Sequence, residues 1–167
     1  PQERQSWLQI SYMKEAYHTM GPKFTLGWMA EALYSSKNFS ENYTATMMQA
    51  GEFAPTPHSK LMYNEAFRAN QYVAAGIKPI YVLNDMFQFR TEFYGFTPIF
   101  PIKKNALNKA YYGKAFSRFE NMGEVSVICH LPFGAISAYV NHYSSPRREW
   151  NVGMTIGWQL FNYRFVE

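Results

Sequence analysis

Histidine is the side chain best suited to proton transfer near neutral pH, and this chain has four: His18, His58, His130 and His142. No two of them stand at a ligand spacing such as that of H-E-x-x-H, so the expectation is no metal site. One local arrangement has nucleophile chemistry: in "NHYSSPRREW", His142 is followed by Ser144 and Ser145. A serine hydroxyl beside an imidazole is the start of a hydrolase site, but a polar loop accounts for the same residues. The chain holds no G-x-S-x-G elbow, no G-x-x-x-x-G-K-[ST] loop and no G-x-G-x-x-G turn. Cys129 is the only cysteine, so there is no internal disulfide framework and no cysteine-rich metal site. The expectation is no catalytic residue, no metal and no cofactor.

The elements that carry these residues are read from a period of two. From Trp150 the chain alternates: Trp150, Val152, Met154, Ile156, Trp158 and Leu160 fall on one side, Asn151, Gly153, Thr155, Gly157 and Gln159 on the other. Such a stretch is a β-strand with one apolar face. The pattern recurs. Phe24, Leu26, Trp28, Ala30, Ala32 and Tyr34 oppose Lys23, Thr25, Gly27, Met29 and Glu31. Phe87, Phe89, Thr91 and Phe93 oppose Gln88, Arg90, Glu92 and Tyr94. Similar alternation covers "SWLQISY", "GEVSVICHL" and "GAISAYVNHY", and a less tidy version puts Lys78 opposite Val73, Ala75, Ile77 and Tyr81. "NYTATMMQAGEF" is strand-like but ambiguous in phase. The count is eight strands, at about 6–17, 22–35, 42–53, 69–83, 86–97, 120–131, 134–143 and 150–163.

Residues 1–167 make a single domain. Aromatic residues are 19% of the chain, yet its mean hydropathy is −0.34, a balance that suits two-faced strands. No run approaches the ~18 apolar residues of a spanning helix, which leaves a membrane β-barrel open. Two features favour the barrel over a soluble sandwich. The apolar faces end in Trp and Tyr, like the aromatic girdles of a barrel, and the polar faces carry Gly, Ser, Thr, Gln and isolated charges, as a wet lumen would. The connections are also unequal: "LND" at 83–85 and "LPFG" at 131–134 are tight turns, whereas 54–67 and 97–119 are long. The connection at 35–42 is longer than this scheme asks.

In a barrel the lipid-facing and girdle residues are Phe24, Leu26, Trp28, Tyr34, Phe87, Phe89, Phe93, Trp150, Val152, Met154, Ile156, Trp158 and Leu160. Lys23, Glu31, Lys78, Arg90, Glu92 and Glu124 then face the lumen, as cross-strand ion pairs that fill it or as a gating surface. A lysine or arginine facing lipid at the midplane costs about 2–4 kcal/mol, which is why the lumen is their place. The net charge is +4. The basic residues Lys103, Lys104, Lys109, Lys114, Arg118, Arg147 and Arg148 are suited to phosphates of lipopolysaccharide, or to solvent alone.

The stretch "PTPHSKLMYNEAFRANQYVAAGIKPIYVLNDMFQFRTEFYGFTP", with "FSRFENMGEVSVICHLPFGAISAYVNHY" and "WNVGMTIGWQLFN", resembles the strand-rich tail of Bacteroidetes patatin-like phospholipase proteins over roughly residues 54–163. The resemblance implies an all-β fold: an antiparallel transmembrane β-barrel of the bacterial surface antigen superfamily, of which this chain is the C-terminal half of sixteen strands. It also implies a bacterial outer-membrane location and a non-catalytic module that anchors, displays or exports an attached lipase domain. The expected partners are outer-membrane lipids and lipopolysaccharide, together with the remaining N-terminal strands or another protomer, and no nucleic acid. In that setting the sequons at Asn38 and Asn42 read as polar turn residues. The alternatives are a complete small eight-stranded outer-membrane barrel, a soluble barrel around an apolar ligand, and an enzyme using His142 with Ser144 or Ser145 at the rim.

Overall fold

The computed structural model describes residues 6–145 and 149–158, the side chains of Glu149 and Trp158 excepted. Seven long strands form one antiparallel sheet: β1 Gln9–Thr19, β2 Phe24–Ser35, β5 Gln71–Val82, β6 Phe87–Pro98, β9 Glu120–Leu131, β10 Gly134–Tyr143 and β11 Glu149–Trp158. They lie side by side in chain order, each paired with the next. Between them are a short helix, α1 (Tyr43–Gln49), and two small hairpins, β3–β4 (Gly51–Glu52, Arg68–Ala69) and β7–β8 (Ile102–Lys104, Ala110–Tyr112). The fold is all-β and antiparallel, as expected from the alternation.

The expected count of eight strands and the strand at 42–53 are corrected. Residues 43–49 are helical, because Asn42 caps them: its side chain accepts the Ala45 N–H at 2.8 Å. The Thr46 hydroxyl donates to the Asn42 carbonyl, so a β-branched residue that favours strands is accommodated in the helix. Met47 and Ala50 then bury against Ile102 of β7. The correction removes the misfit of the connection at 35–42, which now belongs to one long excursion from Ser36 to Asn70. The three short turns, at 20–23, 83–86 and 132–133, lie at one end of the sheet. The long connections, 36–70 and 99–119, lie at the other, where β10 ends at Tyr143.

Those short turns have local causes. Gly21, at φ +148, takes a conformation that other residues rarely adopt, and Pro22 follows it. Asn84 accepts the N–H groups of Met86 and Phe87. The β5–β6 ladder lapses only at Lys78 and Pro79, opposite Glu92 and Thr91, and Pro79 has no N–H to give.

The excursion 36–70 folds back over one face of the sheet. Phe53, Ala66 and Phe67 pack on Met29, Leu33, Tyr72, Ala74, Tyr94, Phe96, Met122 and Tyr143. Phe53 stacks on Phe96 at 5.8 Å and meets Tyr94 edge-on at 5.9 Å. Arg68 fastens the excursion, pairing with Glu52 and donating to the carbonyls of Met47, Met48 and Ala50 at the end of α1. From the 99–119 connection, Arg118 donates to the Ala66 carbonyl at 2.7 Å, and Asn64 of the excursion donates to the Ser145 carbonyl.

Candidate functional site: the covered polar face

The two faces differ in kind. On the open face, cross-strand rows are apolar from strand to strand: Phe24–Tyr81–Phe89–Val127–Ala138–Met154 is one, and Phe87–Cys129–Ile136–Ile156 another. A row nearer the loop end runs Ala16–Trp28–Ile77–Phe93–Gly123–His142–Trp150. Central-strand members are exposed, Ile77 at 49%, Phe93 at 53% and Val125 at 50%. Soluble monomers rarely leave a contiguous apolar surface of this extent uncovered.

The covered face holds the charges. Lys78, Glu92 and Glu124 are buried there, Glu31 and Arg90 are partly buried beside them, and Lys23 instead lies exposed in the turn before β2. The arrangement is a set of ion pairs and tyrosine hydrogen bonds. Lys78 Nζ pairs with Glu15, and the Tyr17 hydroxyl donates to the same oxygen of Glu15. Arg90 Nε pairs with Glu92, whose other oxygen accepts the Tyr94 hydroxyl. Tyr72 donates to Glu31 at 2.5 Å.

Glycine makes this possible. Tyr17 lies across Gly27 and Tyr94 across Gly76, each pair directly opposite on neighbouring strands. A Cβ on Gly76 would sit 2.1 Å from Tyr94 Cδ1, and one on Gly27 would sit 2.6 Å from Tyr17 Cε1. With the opposite position empty, each ring reclines along the sheet, and its hydroxyl reaches the glutamate two residues earlier on its own strand. The signature is Glu-x-Tyr facing Gly, at 15–17 and again at 92–94. It was legible in the sequence once strand pairing was known, and without pairing it pointed nowhere. Glu15, Tyr17, Tyr72 and Tyr94 were therefore missed as members of the network.

His58 reaches this face from the excursion, its Nδ1 2.9 Å from the Tyr143 hydroxyl. Burial holds its imidazole below the usual value of 6.5, so the neutral ring is favoured. Of the residues considered for a rim hydrolase site, His142 and Ser144 point to opposite faces. Ser144 donates to Glu120 on the covered side, while the His142 ring lies against Trp150 on the open face. Among the described residues no group of three His, Cys, Asp or Glu side chains is placed to hold a metal.

No family model, no curated protein and no solved structure matches this chain.

The remaining expected residues are placed as follows. Phe24, Leu26, Trp28, Tyr34, Phe87, Phe89, Phe93, Trp150, Val152, Met154 and Ile156 all fall on the open face. Lys103, Lys104, Lys109 and Lys114 are exposed on and beside the β7–β8 hairpin at the long-loop end. That hairpin turns through Asn108 at φ 58 and is held by the Asn105 side chain, which accepts the N–H groups of Leu107 and Lys109. Leu160, Arg147, Arg148 and the Trp158 side chain lie outside the described residues.

Proposed function

We propose that this chain is part of the wall of a bacterial outer-membrane β-barrel. Its open apolar face meets lipid, and its covered polar face, with the folded-in excursion, fills the lumen. The observation that carries the reading is the continuity of the open apolar face across the six long strands from β2 to β11, with Lys14 and His18 on the same face of the edge strand β1, set against buried charge on the other face. The segregation of short turns to one end and long connections to the other supports it, since such barrels keep short periplasmic turns and long outer loops. A soluble carrier of an apolar ligand asks for the reverse disposition, with charges outside.

Strand parity bears on the partner. In an antiparallel sheet of seven, β1 and β11 run the same way, so pairing them directly would make a parallel seam. Two copies in the same orientation would meet with parallel seams as well. An odd number of further strands restores antiparallel pairing at both edges, and it also removes the exposed edges. A sixteen-stranded barrel supplies nine (16 − 7) and an eight-stranded one supplies one (8 − 7). The reading taken here is the larger barrel, anchoring and displaying or exporting an attached patatin-like lipase domain, with no catalysis in these residues. Lipopolysaccharide phosphates meet the lysines of the β7–β8 hairpin.

Carbonate-washed membranes and gels run with and without heating test this directly. The expected result is retention in the membrane pellet with a heat-dependent change in mobility. Recovery in the aqueous fraction overturns it. The intact mass of the native polypeptide then separates the barrels: several-fold above 19.5 kDa for the fused large barrel, near that value for a small one.

A further inference from the structure

One part of the open face is hollow. Ala75, Gly95 and Asn121 form one cross-strand row there, and Ile77, Phe93, Gly123, His142 and Trp150 form the next. The small residues Ala75, Gly95 and Gly123 floor a groove of about 550 Å³, and Phe93, Phe119 and Trp150 wall it. The Phe119 ring lies against Gly95, where a Cβ would come within 3.0 Å of it, and Phe93 leans on Gly123 at 3.3 Å. Phe119 is 65% exposed and Trp150 73%. The volume falls in the range of small-molecule sites, ~300–1,000 Å³, which are likewise mostly apolar with a few polar groups.

The lining has a direction. Towards the short-turn end it is apolar, closing on Val125 and Val140. The two polar side chains that face it, Asn121 and His142, stand towards the long-loop end, His142 with its ring 4.8 Å from that of Trp150. Glu124 borders the groove but turns its side chain to the covered face. From Asn121 to Val125 the strand advances about 13 Å at ~3.3 Å per residue. That is close to the ~15 Å that one leaflet contributes to a ~30 Å hydrocarbon core. At the polar end, the connection 99–119 that joins β6 to β9 carries Lys103, Lys104, Lys109, Lys114 and Arg118 and no acidic residue. A groove that is apolar along its length, with hydrogen-bond donors and positive charge at one end, complements an acyl chain with an anionic head. A second copy in the same membrane orientation would instead bring its own basic connection to that end, like charge against like.

We propose that this groove binds one phosphate-bearing membrane lipid, an acyl chain lying between Phe93, Phe119 and Trp150 and the phosphate at the Asn121–His142 end. The proposal rests on the reading of the open face as lipid-facing, and names the lipid chemistry of one site on it.

The test is native mass spectrometry of the native polypeptide in detergent micelles, titrated with dioleoylphosphatidylglycerol. One lipid per chain is expected to bind more tightly than any other. Ala75→Leu fills the floor and lowers that affinity about tenfold. Phe119→Ala removes a wall without adding bulk and lowers it at least about threefold. This second variant keeps the test decisive should Ala75→Leu not fold. Ala138→Leu makes the same enlargement on the open face outside the groove and binds like the unaltered chain. Dioleoylglycerol, which has the chains without the phosphate, binds at least about fivefold more weakly. Equal affinity in Ala75→Leu and Ala138→Leu, no change in Phe119→Ala, dioleoylglycerol bound as tightly, or a lipid-free pair of chains each overturns the assignment. The carbonate wash separates the two levels. With the polypeptide still in the membrane pellet only the groove falls, whereas recovery in the aqueous fraction removes the lipid-facing wall with it.

Discussion

Val125 and Glu124 are adjacent on β9 and face opposite ways, Val125 into a row with Thr91, Val140 and Val152, Glu124 into a row with Glu92, Asn141 and Asn151. The first row is apolar apart from Thr91 and exposed on the central strands; the second is polar and largely buried. Within the second row the contrast sharpens. Glu92 holds Arg90 and Tyr94, and Tyr94 can reach it because Gly76 leaves room for the ring. Glu124 has Ser126 two residues on, whose hydroxyl turns to the Arg90 carbonyl. Tyr139, opposite Ser126, reclines on Gly153, where a Cβ would sit 2.3 Å from its hydroxyl oxygen. Both regions have a tyrosine lying on an opposite glycine, but only at Glu92 does that tyrosine stand two residues on in the same strand, where its hydroxyl reaches the carboxylate.

Breaking the compensated half has the largest expected effect. Gly76→Val drives Tyr94 off its resting place and costs about 3–5 kcal/mol, combining overpacking with a lost hydrogen bond to a charged group. Thermal unfolding followed by the gel shift measures it. Next comes the contrast between faces. Val125→Arg places a charge on the open face and costs about 2–4 kcal/mol if that face meets the bilayer interior. If it meets water the change stays within about 0.5 kcal/mol, so one denaturant titration in lipid vesicles separates the two. The two carboxylates then differ in sign. Glu92→Gln weakens bonds from Arg90 and Tyr94 by about 1–2 kcal/mol. Glu124→Gln leaves stability unchanged or raises it, since among the described residues Glu124 pairs with no cation and stands directly opposite Glu92, so the change removes a like-charge contact from a buried site. Equal losses in the two variants would erase the distinction.

The smallest effect is the pH dependence of His58. Its imidazole is depressed in the folded state, so its contribution is fully present above the unfolded value of 6.5. That contribution is lost as pH falls through the lower folded value, because protonation then favours unfolding. His58→Gln is expected to flatten the fall of the unfolding midpoint between pH about 7 and 5. An unaltered slope would assign it to other groups.

Much of the wall was legible in the sequence. Alternation placed Lys78, Arg90, Glu92 and Glu124 on one face and Phe24, Phe89, Phe93 and Val152 on the other, because side chains in a strand point alternately whatever surrounds them. The tight turns expected at 83–85 and 131–134 from their Asn, Asp, Pro and Gly residues fall at 83–86 and 132–133. Residues 42–53 misled: Thr44 and Thr46 lean towards strand, and the Asn42 cap that overrides them was read as a turn residue. Lys23 kept the right phase but lies beyond the strand, in the turn.

What the sequence by itself determined is therefore the two-faced strand and the sorting of residues between its faces, a consequence of period two. Only the tertiary structure decided which face is covered, since the excursion 36–70 folds onto the charged side through Phe53 and Phe67. It also decided which tyrosine meets which glycine. Both depend on register between distant segments, and register is fixed by the pairing of whole strands, which no local pattern records.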